Sequence, residues 1–197
     1  ETNLPDPFIL PHEGGFLAYA TNAEGGAANV QMARSPDLVT WEFMREGDKL
    51  HDAMPDLPPW AREGWTWAPE VIAHQDRFLL YFTAKERSSG LQCVGVATGS
   101  DARGPFTSSA SEPLVCQREI GGTIDPAVFR DADGKMYLYY KNDGNHPDNN
   151  NHHPSDRQHA VSVTLRELTC RTFERVARRS FSPLVTISRC RRFSLIS

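Results

Sequence analysis

Two aspartate–proline steps, Asp6-Pro7 and Asp125-Pro126, hold the residues of this chain best suited to acid–base chemistry, and Pro69-Glu70 is a near match between them. A carboxylate can accept a proton from water, and a neighbouring carboxylic acid can give one to a departing oxygen. Carboxyls that converge on one cavity can therefore divide acid–base work between them. An isolated Asp-Pro also has a plainer use, as the start of a strand whose carboxylate caps a turn. Here the acidic steps do not stand alone. Each opens or adjoins a short apolar run, and after a turn each run gives way to an aromatic-rich strand: 15–19, 77–82 and 135–140. From 6 to 70 to 125 the phase advances by 64 and 55 residues.

Self-similarity at that spacing predicts a radially repeated β architecture. A propeller gathers the first strand of every blade around one central channel, so carboxylates distant in sequence meet. In the first unit Phe8-Ile9-Leu10, strands over 16–20 and 29–34, and Thr40-Trp41-Glu42-Phe43 make four short strands joined by Gly, Pro and Asp turns. The second unit runs through Val71-Ile72-Ala73 and strands over 78–83 and 93–98, and Gly104-Pro105-Phe106 closes it. The third starts at Thr123-Ile124-Asp125, turns at Asp131-Ala132-Asp133-Gly134 and continues over 136–141. The insertion 44–66 carries Pro55, Pro58, Pro59, Trp60 and Trp65 and reads as a loop at the channel mouth. The expected fold is all-β: a β-propeller of four-stranded blades, with blades I–III over 1–144 and part of a fourth beyond.

A chain of 197 residues can bury one sizeable core. Its net charge of −4 singles out no partner, and no apolar stretch nears the roughly 18 residues of a membrane span, so neither nucleic acid nor membrane is expected. After Gly144 the character changes: residues 157–197 hold nine Arg, no Lys and two Glu, about +7 against −11 for the rest. Residues 145–197 are thus set apart as an atypical segment, read as a partial blade, a basic tail or an altered reading frame. The chain begins at Glu1 without a secretory signal, a start that fits a processed terminus. Cys93, Cys116, Cys170 and Cys190 show no CxxC spacing, which argues against zinc. Four cysteines allow three connectivities, and spacing does not choose among them. Cys93 and Cys116 read most simply as buried small hydrophobes.

The combination of motifs resembles glycoside hydrolase family 43, the five-bladed β-propeller arabinanases, arabinofuranosidases and β-xylosidases. It rests on Asp6-Pro7-Phe8-Ile9-Leu10, Ser35-Pro36-Asp37-Leu38-Val39-Thr40-Trp41 and Trp67-Ala68-Pro69-Glu70-Val71. Ala97-Thr98 with Gly104-Pro105-Phe106, and Ile124-Asp125-Pro126-Ala127-Val128-Phe129 with Asp133-Gly134-Lys135-Met136-Tyr137-Leu138, complete it over about 4–144. The resemblance implies an inverting hydrolase of plant cell-wall arabinan or arabinoxylan, with Asp6 as general base and Asp125 orienting the general acid and raising its pKa. The family's acid is a Glu in a Glu-Gly-Pro motif, which this sequence lacks; Glu167 and Glu174 lie in other contexts and are left unassigned. A second reading follows from that gap: a catalytically silent propeller fragment that at most binds sugar.

Trp67, Glu70 and Phe8 are the expected sugar contacts, Trp67 by stacking on a sugar face or else as a Trp packed between blades. Trp60 and Trp65 are lesser candidates, and Trp41 belongs to an outer strand. His146, His152, His153 and His159 match no ligand pattern and read as a solvated stretch. Asp131 and Asp133 beside Gly134 read as a hairpin turn rather than a calcium loop. No metal or cofactor is expected from the residues, although the resemblance allows a calcium ion in the channel. An extracellular location is expected, as is a homo-oligomer that covers blade faces left open.

Overall fold

The computed structural model describes residues 3–144 and 163–168, and its regular structure is almost entirely β-strand, with two short 3-10 turns at Glu24–Gly26 and Arg118–Ile120. Strands β1 (Phe8–His12), β2 (Gly15–Ala20), β3 (Gln31–Ser35) and β4 (Glu42–Phe43) form one antiparallel sheet in that order. The turn from β1 to β2 is two residues, Glu13-Gly14, both with positive φ (49° and 77°). That geometry matches the right-handed twist of paired strands and so sets the register Phe8–Tyr19. A small hairpin, β5 (Arg45–Glu46) with β6 (Lys49–Leu50), leads to the second sheet: β7 (Ala61–His74), β8 (Arg77–Glu86) and β9 (Gln92–Gly99). The third is β10 (Thr123–Arg130), β11 (Met136–Asn142) and β12 (Val163–Leu168). β12 carries the third sheet past position 144, the boundary expected from composition. The His-rich stretch, Glu174, Cys170 and Cys190 lie outside the described residues.

Alternation explains why the aromatic strands are apolar throughout. Leu80 and Phe82 of β8 face one core cluster with Leu17, Tyr19 and Met32 of the first sheet and Val30 just ahead of β3. Leu79 and Tyr81 face the other, with Met136, Leu138 and Tyr140 of the third. A strand buried on both faces carries a near-continuous hydrophobic run, and β8 lies between two neighbouring sheets. This is face-to-face stacking of blades.

Two expectations need correction. Trp60, a lesser candidate for sugar stacking, is buried and stacks on Phe82 with ring centroids 5.9 Å apart at 8°, and Ala53 and Met54 are fully buried in the same insertion, 44–66. β7 begins inside it. Cys93 and Cys116 are not isolated hydrophobes but a disulfide, with Cα atoms 4.7 Å apart. The cause is topological. The segment after Phe106 runs back beside β9, antiparallel, with Val94 bridging Val115, so the next pair outward is Cys93 and Cys116.

The bond closes a loop with a sequence separation of 23 residues. Loop-closure entropy gives a stabilisation of about 3 kcal/mol for a loop of this size. The double variant Cys93→Ala, Cys116→Ala is expected to unfold in urea with that deficit. A deficit below about 1 kcal/mol would refute the loop-closure account.

Candidate active site

Each sheet begins the same way. Register pairs Phe8 with Tyr19, Glu70 with Tyr81 and Ala127 with Tyr139. Two residues earlier stand Asp6, just ahead of β1, and Ala68 and Asp125, within β7 and β10, each followed by proline and each left-handed, with φ of 49°, 43° and 53°. Positive φ is uncommon outside glycine, and strain of this kind persists where the surroundings enforce it. The repeat therefore advances from 6 to 68 to 125, steps of 62 and 57. Glu70, aligned with the aspartates by its sequence context, is instead the counterpart of Phe8 and Ala127.

Two residues beyond each tyrosine come Thr21, Thr83 and Lys141, and these tie the sheets together. The Thr21 hydroxyl donates to Asp6 Oδ2 (2.9 Å) and accepts the Ala68 N–H (3.1 Å) from β7. Trp67, next to Ala68, pairs with Thr83, whose hydroxyl accepts the Asp125 N–H at 3.1 Å. Lys141 Nζ lies 2.9 Å from Asp125 Oδ2, and this pair, by its hydrogen bond and charge, raises the lysine pKa. Asp6 and Asp125 are thus joined through one series of contacts at the same end of three adjoining strands. Both aspartates are exposed on that edge, with the Asp125 side chain 51% accessible.

Glu70 sits at the junction of the second and third sheets, its Oε1 accepting the Val128 N–H at 2.8 Å. Burial pushes its carboxyl up to about 7, partly offset by that bond. Desolvation, rather than crowding by like charges, is the cause. Because the folded pKa is raised, Glu70 contributes full stability below the ordinary carboxyl range and loses it as pH rises towards 7. Glu70→Gln should leave stability unchanged near pH 4 and raise it at pH 8 by on the order of 2 kcal/mol, a figure reduced for partial solvent exposure. Urea denaturation at the two pH values tests this, and equal gains at both would refute it.

The aromatic candidates separate. Phe8 is half-buried with its ring 6.4 Å from Tyr19, packed on the first core cluster. Trp60 is only 5% exposed. Trp67 is half-buried and meets Trp65 edge-on at 5.8 Å. Trp65 is 41% exposed, with Lys85 Nζ 4.4 Å from its ring centroid. It walls a polar cavity of about 760 Å³ with Asn22, Asn29, Asp56, Glu63 and Arg87, which Asp6 and Asp125 do not line. Trp41 donates its Nε1–H to Leu38 O and closes a surface turn. Asp131 and Gly134 bond within the β10–β11 turn, the hairpin expected. Among the described residues, the grouping of potential metal ligands Glu86, Cys93 and Cys116 does not fit an ion. Its sulfurs are bonded to each other and its carboxylate is paired with Arg118.

Sheets stacked face to face, with the pre-proline positions Asp6, Ala68 and Asp125 along one edge, define an all-β propeller segment. The chain belongs to glycosyl hydrolases family 43, whose pattern it matches over residues 1–167. It is 26% identical over 163 residues to an extracellular endo-α-(1→5)-L-arabinanase of Thermotoga petrophila, covering 68% of this chain and 33% of that one. It is 33% identical over 168 residues to an arabinoxylan arabinofuranohydrolase of Bacillus subtilis, covering 68% and 30%. A solved thermostable family-43 glycoside hydrolase superposes with a TM-score of 0.61 at 27% identity, covering 84% of this chain and 48% of that chain. The chain thus spans about a third of the length of these curated relatives.

Proposed function

We propose that the chain carries the base side of an inverting glycoside hydrolase site for the pentosidic linkages of arabinan and arabinoxylan. The carrying observation is the placement of Asp6 and Asp125 at equivalent left-handed, pre-proline positions of the first and third blades, linked through Thr21, Ala68 and Thr83. In this reading Asp6 takes a proton from water as the water oxygen attacks the anomeric carbon. The bond to the glycosidic oxygen breaks, and that oxygen leaves with a proton from a general acid. Base and acid in such sites stand roughly 6.5–9.5 Å apart, room enough for the water. Asp125, neutralised by Lys141, is the orienting carboxylate. Pentose-containing oligo- and polysaccharides are the substrates, in keeping with the names of the relatives. An extracellular setting fits both those names and the disulfide.

The missing Glu-Gly-Pro motif shapes the test, because a leaving group of low pKa departs without an acid. Dinitrophenyl α-L-arabinofuranoside and β-D-xylopyranoside are expected to release dinitrophenolate with the purified chain, well above buffer. No release from either supports the silent, sugar-binding fragment instead. Phe129 and Tyr139 stand exposed on the third sheet, which favours self-association there. Light scattering that returns a monomer would remove that part of the reading.

A further inference from the structure

The repeated register places a side chain with polar reach two residues beyond the tyrosine of each second strand, but the three are not used alike. Thr83 has a backbone partner only on the next blade, since the position matching Asp6 on its own blade is Ala68. Thr21 has both partners: the Ala68 N–H and the Asp6 carboxylate. A hydroxyl owns one proton. With the Ala68 N–H occupying its acceptor side, the Thr21 proton is directed at Asp6 Oδ2.

We propose that Thr21 is the positioning residue for Asp6, holding one carboxylate oxygen so that the other is presented to the attacking water. This deepens the hydrolase reading and rests on Asp6 as its base. Through Ala68 the same hydroxyl makes the base's orientation depend on docking of the second blade against the first. Thr83 repeats the inter-blade contact on Asp125 with no carboxylate in reach of the role, so the latch and the carboxylate contact are separable functions. Only Thr21 performs both. At the third rung Lys141 cannot accept an N–H, and its ammonium meets the Asp125 carboxylate instead.

The test compares Thr21→Val, Thr21→Ala and Thr21→Ser on the dinitrophenyl pentosides. Loss of carboxylate aim is expected to lower kcat by about 10- to 100-fold, since misplacement of a catalytic group by about 1 Å can cost that much. KM should stay within about twofold, because ground-state binding is untouched. Serine, which keeps the hydroxyl, should restore kcat to within about threefold of the parent. A valine variant with parental kcat, or a serine variant as impaired as alanine, overturns the proposal. A crystal structure of Thr21→Ala gives a readout independent of turnover and of valine's packing: Asp6 should leave its single orientation, and an unmoved carboxylate also overturns the proposal. If the parent chain releases no dinitrophenolate, the base reading fails while the crystallographic arm still decides the role of Thr21.

Discussion

Asp6→Asn should cut dinitrophenolate release by about 10²- to 10⁴-fold, the range a positioned proton acceptor contributes. The substitution is nearly isosteric, and the amide oxygen can still accept the Thr21 hydroxyl, so fold and local geometry are retained. What is lost is a group able to take a proton from water. Asp125→Asn provides the contrast. If Asp125 serves the general acid, a leaving group that needs no acid makes it dispensable, and its loss should cost less than about tenfold. Steady-state rates of the parent and both variants on the dinitrophenyl pentosides separate these cases. Equal impairment of both variants on the dinitrophenyl pentoside would reassign Asp125 to direct work on water or sugar.

The sequence made the blades legible because their signals are local. Turn residues Glu13-Gly14 and Asp133-Gly134 and the apolar runs of β2, β8 and β11 each mark an element within a few residues. The phase between blades was less legible. Pro69-Glu70 looks like an acidic step, but register depends on cross-strand pairing, and Tyr81 pairs with Glu70 as Tyr19 pairs with Phe8. The better signal was already present: Tyr19-Ala20-Thr21 and Tyr81-Phe82-Thr83 share a Tyr-x-Thr spacing that aligns the second strands directly. Thr21 was missed because its work is a contact to a neighbouring blade, which no local pattern encodes. The disulfide was hidden for the same reason. Cys93 and Cys116 meet only because the chain returns beside β9, and nothing near either residue announces that return. Trp60 was misplaced because a proline-rich stretch reads as loop, whereas burial against Phe82 decides its environment.

That last pair gives the second large effect. Phe82→Ala is expected to destabilise the chain by about 3–5 kcal/mol, a sizeable share of the stability of a domain this size. Phe82 is fully buried, stacked on Trp60, and lies across Gly95, its direct partner on β9. A Cβ placed on Gly95 would lie 2.5 Å from Phe82 Cζ and 2.6 Å from Trp60 Cζ2. The glycine is therefore a slot into which both rings fit, and removing one ring leaves a cavity that the rigid strand cannot collapse into. Gly95→Ala attacks the same slot from the other side and should cost about 1–3 kcal/mol through overpacking. Because the two changes share one volume, their effects should not add. Gly95→Ala in the Phe82→Ala background should cost much less than alone, since the new methyl enters the vacated space. A double-mutant cycle in urea measures the coupling, and strict additivity would show that ring and glycine do not share the slot. Function enters through Trp60, which immediately precedes β7, the strand that carries Ala68 to the Thr21 hydroxyl. Where Phe82→Ala remains folded, its kcat on the dinitrophenyl pentosides should fall along with its stability, as that of Thr21→Ala does, because both changes loosen the second blade beneath Asp6.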